Sequence, residues 1–142
     1  MKKLFLSTGL IIRPDKKFLL VKRSANDTFL PGFWELPGGK VEKKETSEEG
    51  LLRELLEECG MDVEIVQVSH KKSFARHEKG IEFIETFYLC RINHAGNVTL
   101  SDEHSEFEWI NFDNLYKYTD GISEYMRSAI LEFRKHLKTT TS

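Results

Sequence analysis

Several things are scarce in this sequence. Its 142 residues include two cysteines, three prolines and two tryptophans, and its formal charges nearly cancel at −2. Two cysteines are too few for a disulfide-stapled framework. Cys59 and Cys90 fall at apolar positions of predicted elements and read as reduced core residues of a cytoplasmic protein. Without a strong charge of either sign, there is no general nucleic-acid or membrane surface. An anionic partner must therefore be gripped by local groups, and a small molecule is expected rather than polymeric nucleic acid. No apolar run is long enough to span a bilayer. Met1-Lys2-Lys3 ahead of Leu4-Phe5-Leu6 has the start of a signal peptide, but the run breaks at Ser7 and no small-residue cleavage site follows. Internal repeats and low-complexity segments are absent.

What remains is an ordinary globular composition, 39% hydrophobic and 31% charged. The length predicts one domain over residues 1–138, with 139–142 as a frayed tail, acting as a monomer or homodimer. Leu4–Ile12 and Phe18–Lys22 read as strands joined by a turn at Pro14-Asp15-Lys16, and Ser24–Gly32 as a polar loop. Trp34–Leu36, Val63–Ser69, Ile81–Ile92 and Trp109–Phe112 are further strands. Phe74–Gly80 reads as a charged loop, His94–Asn97 as a turn, Ser101–Glu108 as an acidic loop and Asp113–Tyr118 as a helical turn. Ser123–Leu137 is an amphipathic helix whose apolar face is Met126, Ala129, Ile130, Phe133 and Leu137. Strands interleaved with two helices predict a mixed sheet covered on both faces, an α/β/α sandwich.

The chain is organised around Gly39–Met61. Pro37-Gly38-Gly39 forms a turn, Thr46 and Glu49 spell a capping box, and Gly60 stands where a left-handed C-cap belongs. At 100° per residue, Leu51, Leu52, Leu55, Leu56 and Cys59 share one arc, expected to face a core. Glu54, Glu57 and Glu58 share the opposite arc, with Gly50 one turn before Glu54. Taken alone, three glutamates on one face describe a solvated helix surface. They also suit a hard divalent cation, Mg²⁺ or Mn²⁺, which prefers carboxylate oxygen, with Gly50 leaving room beside it.

The full pattern decides between these. Gly39, five residues, Glu45, seven residues, Arg53-Glu54-Leu55, one residue, Glu57-Glu58, one residue, then Gly60 and Met61 departs nowhere from the Nudix box. The chain resembles a Nudix hydrolase. The resemblance implies an α/β/α sandwich and metal-assisted attack of water on a phosphoanhydride of a nucleoside diphosphate derivative. It implies that Glu57 and Glu58 are metal ligands, that Glu54 shares the metal or orients the water, and that the Gly38 carbonyl is a backbone ligand. Gly38 and Gly39 amides would hold phosphate oxygens. Glu45 and Arg53 match a structural pair, Arg53 orienting Glu54 or pairing with Glu45. A further ligand or base is expected near Trp109, Glu103 before Glu106, although Glu106 and Glu108 read first as solvated, with Glu82 and Glu85 as weaker candidates. Arg23 matches a basic residue near the phosphates. Arg76, His77 and Lys79 sit on a predicted rim. Phe29, Phe33, Trp34 and Phe74 are candidates to stack on a base, though for each one alone core packing is the favoured reading. Among the histidines, His104 alone lies in the acidic segment.

Subgroup signatures narrow the substrate by elimination. The stretches typical of NADH, ADP-ribose and dinucleoside-polyphosphate members are missing, and the coenzyme A signature is matched only in part around Leu19–Ser24. What remains resembles the MutT-like group, pyrophosphohydrolases of nucleoside triphosphates, including oxidised ones such as 8-oxo-dGTP, that release a nucleoside monophosphate and pyrophosphate. The alternatives are hydrolysis of coenzyme A, ADP-ribose or a dinucleoside polyphosphate, a nucleotide-binding sensor without turnover, and an isomerase with a reactive pocket cysteine.

Overall fold

The computed structural model describes residues 1–92, 97–118 and 120–140. In chain order the strands are β1 (Lys2–Ile12), β2 (Phe18–Arg23), β3 (Trp34–Glu35) and β4 (Gly38–Lys40). Helix α1 (Ser47–Cys59) follows, then β5 (Glu64–Arg76), β6 (Ile81–Arg91), β7 (His104–Ile110) and helix α2 (Glu124–Thr140). Strands pair in the order β3-β2-β1-β6-β5, with β4 on β1 and β7 on β2. β1 runs parallel to β6 along its whole length, and the other pairings are antiparallel. The mixed sheet is as expected.

Strand periodicity explains why both faces are covered. Successive side chains point to opposite sides. Leu10, Phe18, Leu20, Phe87 and Leu89 join the core under α2, with Met126, Ala129, Ile130 and Phe133. Their immediate neighbours Ile11, Leu19, Val21, Tyr88 and Cys90 join the core under α1, with Leu51, Leu55 and Cys59. Strands buried on both faces read as unbroken apolar runs, as FLLV does.

β1 and β2 pair only at Ile12↔Phe18. At its other end β1 pairs with β4, through Leu6↔Lys40, Ser7↔Gly39 and Thr8↔Gly38. β4 thus takes over the edge that β2 leaves, and it carries the glycine turn into the sheet at the foot of α1.

Several expectations need correction. Phe74–Arg76 is not loop but the end of β5, and only His77–Lys79 form a 3₁₀ turn, closed by Gly80 at φ 64°. The acidic loop ends at Glu103, because His104–Ile110 pairs with β2 as an edge strand. Its charged outer residues suit an exposed edge. Thr139 and Thr140 belong to α2. The predicted turn at His94–Asn97 lies outside the described residues except for Asn97. Among the described residues, no helix is long and apolar enough to cross a membrane.

Candidate active site

The ends of α1 are fixed locally. The Thr46 hydroxyl accepts from the Glu49 amide at 3.1 Å and the Glu49 carboxylate accepts from the Thr46 amide at 2.8 Å. Gly60 closes the helix at φ 65°, and its amide donates to Leu55 and Leu56 carbonyls. The apolar arc is narrower than predicted. Leu51, Leu55 and Cys59 are buried, whereas Leu52 is 40% and Leu56 60% exposed.

Arg53 joins the loop to the helix. Its Nε and Nη2 donate to the two oxygens of Glu45 at 3.1 and 2.7 Å, and Nη2 also donates to the Lys40 carbonyl at 2.9 Å. Nη1 donates to Glu54 at 2.9 Å and Glu57 at 3.2 Å. Arg53 therefore does both things the resemblance allowed. The Glu45 side chain passes close to Gly50, where a Cβ would stand 2.9 Å from Oε1. Gly50 makes room for Glu45, not for a cation, which corrects the expectation. Gly39 makes room for Glu54, since a Cβ there would lie 2.4 Å from the Glu54 carboxyl carbon.

These constraints aim Glu54 into a pocket of about 440 Å³, lined by Asp27, Glu35, Gly38, Gly39, Glu54, Glu58, Glu103 and His104, among others. Glu58 is 5% exposed, and its Oε2 has no hydrogen-bond partner among the described residues. Burial, then the hydrogen-bonded Glu103, then the charges of Glu54 and Glu35, push its carboxyl far above the usual range. Glu57 does not line this pocket. It is 61% exposed and held by Arg53.

Predicted and unpredicted groups meet here. Arg23 reaches the pocket, but its guanidinium is already engaged, by Glu35 at 3.0 Å, Asp27 at 2.7 Å and the Phe29 carbonyl at 2.8 Å. Glu35 and Asp27 were not singled out from sequence. Glu35 follows Trp34 on a two-residue strand, with nothing periodic to mark it. The buried His104 ring bonds Glu35 through Nε2 at 2.9 Å. Glu106 instead pairs with Lys22 on the surface, and Glu108 accepts from Tyr118. Among the described residues no three Asp, Glu, His or Cys side chains are already gathered as a metal site. The donor set still fits a divalent cation. Glu54, Glu58 and Glu103 offer hard oxygens in one pocket, and the orphaned Glu58 Oε2 lies among like charges.

Beside this pocket lies a larger cavity of about 650 Å³. Phe29, Phe33, Trp34 and Phe74, the four candidate stacking residues, all line it. It shares Leu6, Arg23, Asp27, Glu35 and Lys40 with the acidic pocket, so the two adjoin. Of the three predicted rim residues, Arg76 and Lys79 lie on its wall and His77 does not.

Comparison with known proteins agrees with the geometry. Residues 3–130 match the NUDIX domain. The chain belongs to the Nudix family. The 8-oxo-dGTP diphosphatase of Proteus vulgaris is 45% identical over 62 residues, 44% of this chain and 54% of that protein. A MutT-like protein of Streptomyces ambofaciens is 31% identical over 75% of this chain and 63% of its own length. An ADP-ribose pyrophosphatase of Methanocaldococcus jannaschii is 31% identical over 82% of this chain and 70% of its own. The matched region thus spans between half and two thirds of the first two relatives. The MutT protein of Methanosarcina mazei Go1 superposes with a TM-score of 0.84 at 27% identity, covering 96% of both chains. Nudix hydrolases generally use divalent metal ions, which accords with the oxygen donors described here.

Proposed function

We propose that this chain is a cytoplasmic, Mg²⁺- or Mn²⁺-dependent pyrophosphohydrolase of nucleoside triphosphates, including oxidised forms such as 8-oxo-dGTP. One observation carries the reading: an acidic pocket at the glycine turn shares a wall with an aromatic-lined cavity. The first suits a phosphate chain with its cation and the second a base. The relatives named 8-oxo-dGTP diphosphatase and MutT-like protein favour a triphosphate. The relative named ADP-ribose pyrophosphatase supports the second reading, an ADP-ribose-type diphosphate.

Glu54, Glu58 and Glu103 with the Gly38 carbonyl would hold the cation, joined by Glu57 once it turns from Arg53. A bound divalent cation stabilises charge on phosphoryl oxygens and acidifies a water. Water oxygen attacks phosphorus, the phosphoanhydride bond breaks, and pyrophosphate leaves with the bonding pair. Glu54, oriented by Arg53 and cleared by Gly39, is placed to take the proton from that water. The backbone amide of Gly38, which points away from β1, and the Lys40 ammonium hold phosphate oxygens. Arg23 reaches phosphate by exchanging its Asp27 partner; otherwise it keeps the pocket wall in place.

The test is a panel of nucleoside triphosphates, ADP-ribose, coenzyme A and dinucleoside polyphosphates with and without Mg²⁺ and Mn²⁺, products being identified. Monophosphate plus pyrophosphate is expected, with Glu58→Gln slowing turnover about 10²–10³-fold while melting is retained. Turnover of ADP-ribose alone selects the second reading. An inert panel overturns the proposal in favour of a sensor, and full turnover by Glu58→Gln removes Glu58 from the metal site.

A further inference from the structure

Glu85 is a buried acid outside the Nudix box that the reaction above does not use. It sits on β6, is 5% exposed, and lines the larger cavity. Its neighbours on the same face, Phe83 and Phe87, are apolar. A carboxyl in such surroundings costs stability unless it is paired or employed. The structure does not leave it loose. Thr8 Oγ1 donates to Oε2 at 2.5 Å and the Tyr125 hydroxyl donates to Oε1 at 2.8 Å.

One donor on each oxygen fixes the plane of the carboxyl and leaves both oxygens acting as acceptors. A carboxylate has about four lone-pair sites, so each oxygen can take a second hydrogen bond. The group thus presents two acceptors side by side. Among the common bases, only guanine offers two adjacent N–H donors on its Watson–Crick edge, N1–H and N2–H. Adenine and cytosine each offer a donor beside an acceptor there, and thymine a donor between two acceptors. The flanking walls suit a flat ring: Phe74 stacks on Phe83 at 4.8 Å and meets Tyr125 edge-on. Thr8 is also the cross-strand partner of Gly38, which ties the base contact to the turn proposed to hold phosphate.

We infer that Glu85 reads the Watson–Crick edge of guanine, ordinary or 8-oxidised, by accepting from N1–H and N2–H. The inference rests on the pyrophosphohydrolase reading and deepens it. Thr8 and Tyr125 are positioning residues for the carboxyl.

The test compares kcat/KM for dGTP, 8-oxo-dGTP, dITP, dATP, dCTP and dTTP. The wild-type protein should prefer a guanine nucleotide, and turnover of dGTP, 8-oxo-dGTP or both identifies the source. Deleting only the 2-amino group, as dITP does relative to dGTP, removes one hydrogen bond to a charged acceptor and should cost roughly 10- to 100-fold. In Glu85→Gln the preference for guanine over adenine should collapse towards one, because an amide offers a donor where an acceptor is needed. Thr8→Val should narrow the same ratio in part. If Glu85→Gln does not fold, the wild-type comparison of guanine with hypoxanthine nucleotides decides alone. Equal turnover of all bases, or an unchanged guanine preference in folded Glu85→Gln, overturns this inference while leaving the hydrolase reading intact. No turnover of any nucleotide overturns both.

Discussion

Gly38 and Gly39 are adjacent, yet alanine at each should do different damage. At Gly38 a Cβ would stand 2.2 Å from the Ser7 carbonyl oxygen and 2.6 Å from Thr8 Cα. Both are backbone atoms of the paired strand, so β4 must move off β1. At Gly39 the nearest atoms are Glu54 Cδ at 2.4 Å, Oε2 at 2.6 Å and Cγ at 2.9 Å, all in one flexible side chain. Gly39→Ala is relieved if Glu54 swings by about 1 Å, for which there is space in the pocket. Overpacking of the first kind costs about 1–3 kcal/mol or more. The second should cost under about 1 kcal/mol in stability but misplace a reacting group by about 1 Å, worth about 10²-fold in rate. The assay is thermal melting beside kcat at saturating Mg²⁺, on whichever nucleotide the panel selects. The expected result is a large fall in Tm for Gly38→Ala, with Gly39→Ala melting near wild type and turning over about 100-fold more slowly. If Gly39→Ala keeps full turnover, the aim of Glu54 is not what that glycine protects. If both variants melt alike, the backbone-against-side-chain distinction is wrong.

Arg53→Lys keeps the charge but cannot span both Glu45 oxygens, the Lys40 carbonyl and Glu54, so it should lose about 1–2 kcal/mol by urea denaturation and slow turnover as well. Leu55→Ala should cost about 3 kcal/mol, whereas Leu56→Ala should change stability by less than about 0.5 kcal/mol, since only Leu55 is buried. His70, stacked on Phe87 and near His136 and Lys72, is pushed down to about 4, mainly by burial. An unfolded histidine titrates near 6.5, so between about pH 6.5 and pH 4 the unfolded chain takes up a proton that the folded one refuses. Melting temperature should therefore fall as pH drops through that window, and less so in His70→Gln; equal pH dependence of the two would remove the argument. Burial pushes both thiols up to about 12, so Cys59 and Cys90 should resist alkylation until the protein unfolds. Rapid labelling with loss of activity would revive the isomerase reading.

The parts that sequence revealed are those whose causes are local. The caps of α1 are set by residues three positions apart, so Thr46, Glu49 and Gly60 were legible. So was the apolar run FLLV as a strand. The misreadings have longer-range causes. Angular arithmetic around α1 gave an apolar arc but not how far the sheet beneath it extends, hence the exposure of Leu52 and Leu56. β5 runs on past Ser69 because His70–Arg76 pairs in register with Ile81–Phe87 of β6. Lys71, Lys72 and Arg76 put charge into that segment, which a reading of apolar residues takes for loop. Thr8 and Tyr125 bond Glu85 across 77 and 40 residues of chain. No spacing rule connects such positions.

The specified positions of the Nudix box divide by what they do here, and the division explains the spacing. Glu45 and Arg53 form a clamp across eight residues, and Gly50 is small because that clamp lies against it. Gly39 is small because Glu54 lies against it. Glu54 keeps its aim through Arg53, which holds one of its oxygens at 2.9 Å. Glu58 needs no such partner, because burial against Glu103 fixes it already. Glu57, between these two and on the outer side, is held by the same Arg53 Nη1 that holds Glu54. Of the three acids it can turn at least cost. The two acids that line the pocket are thus held by different means, clamp and burial, so removing the Arg53 clamp should disturb Glu54 far more than Glu58.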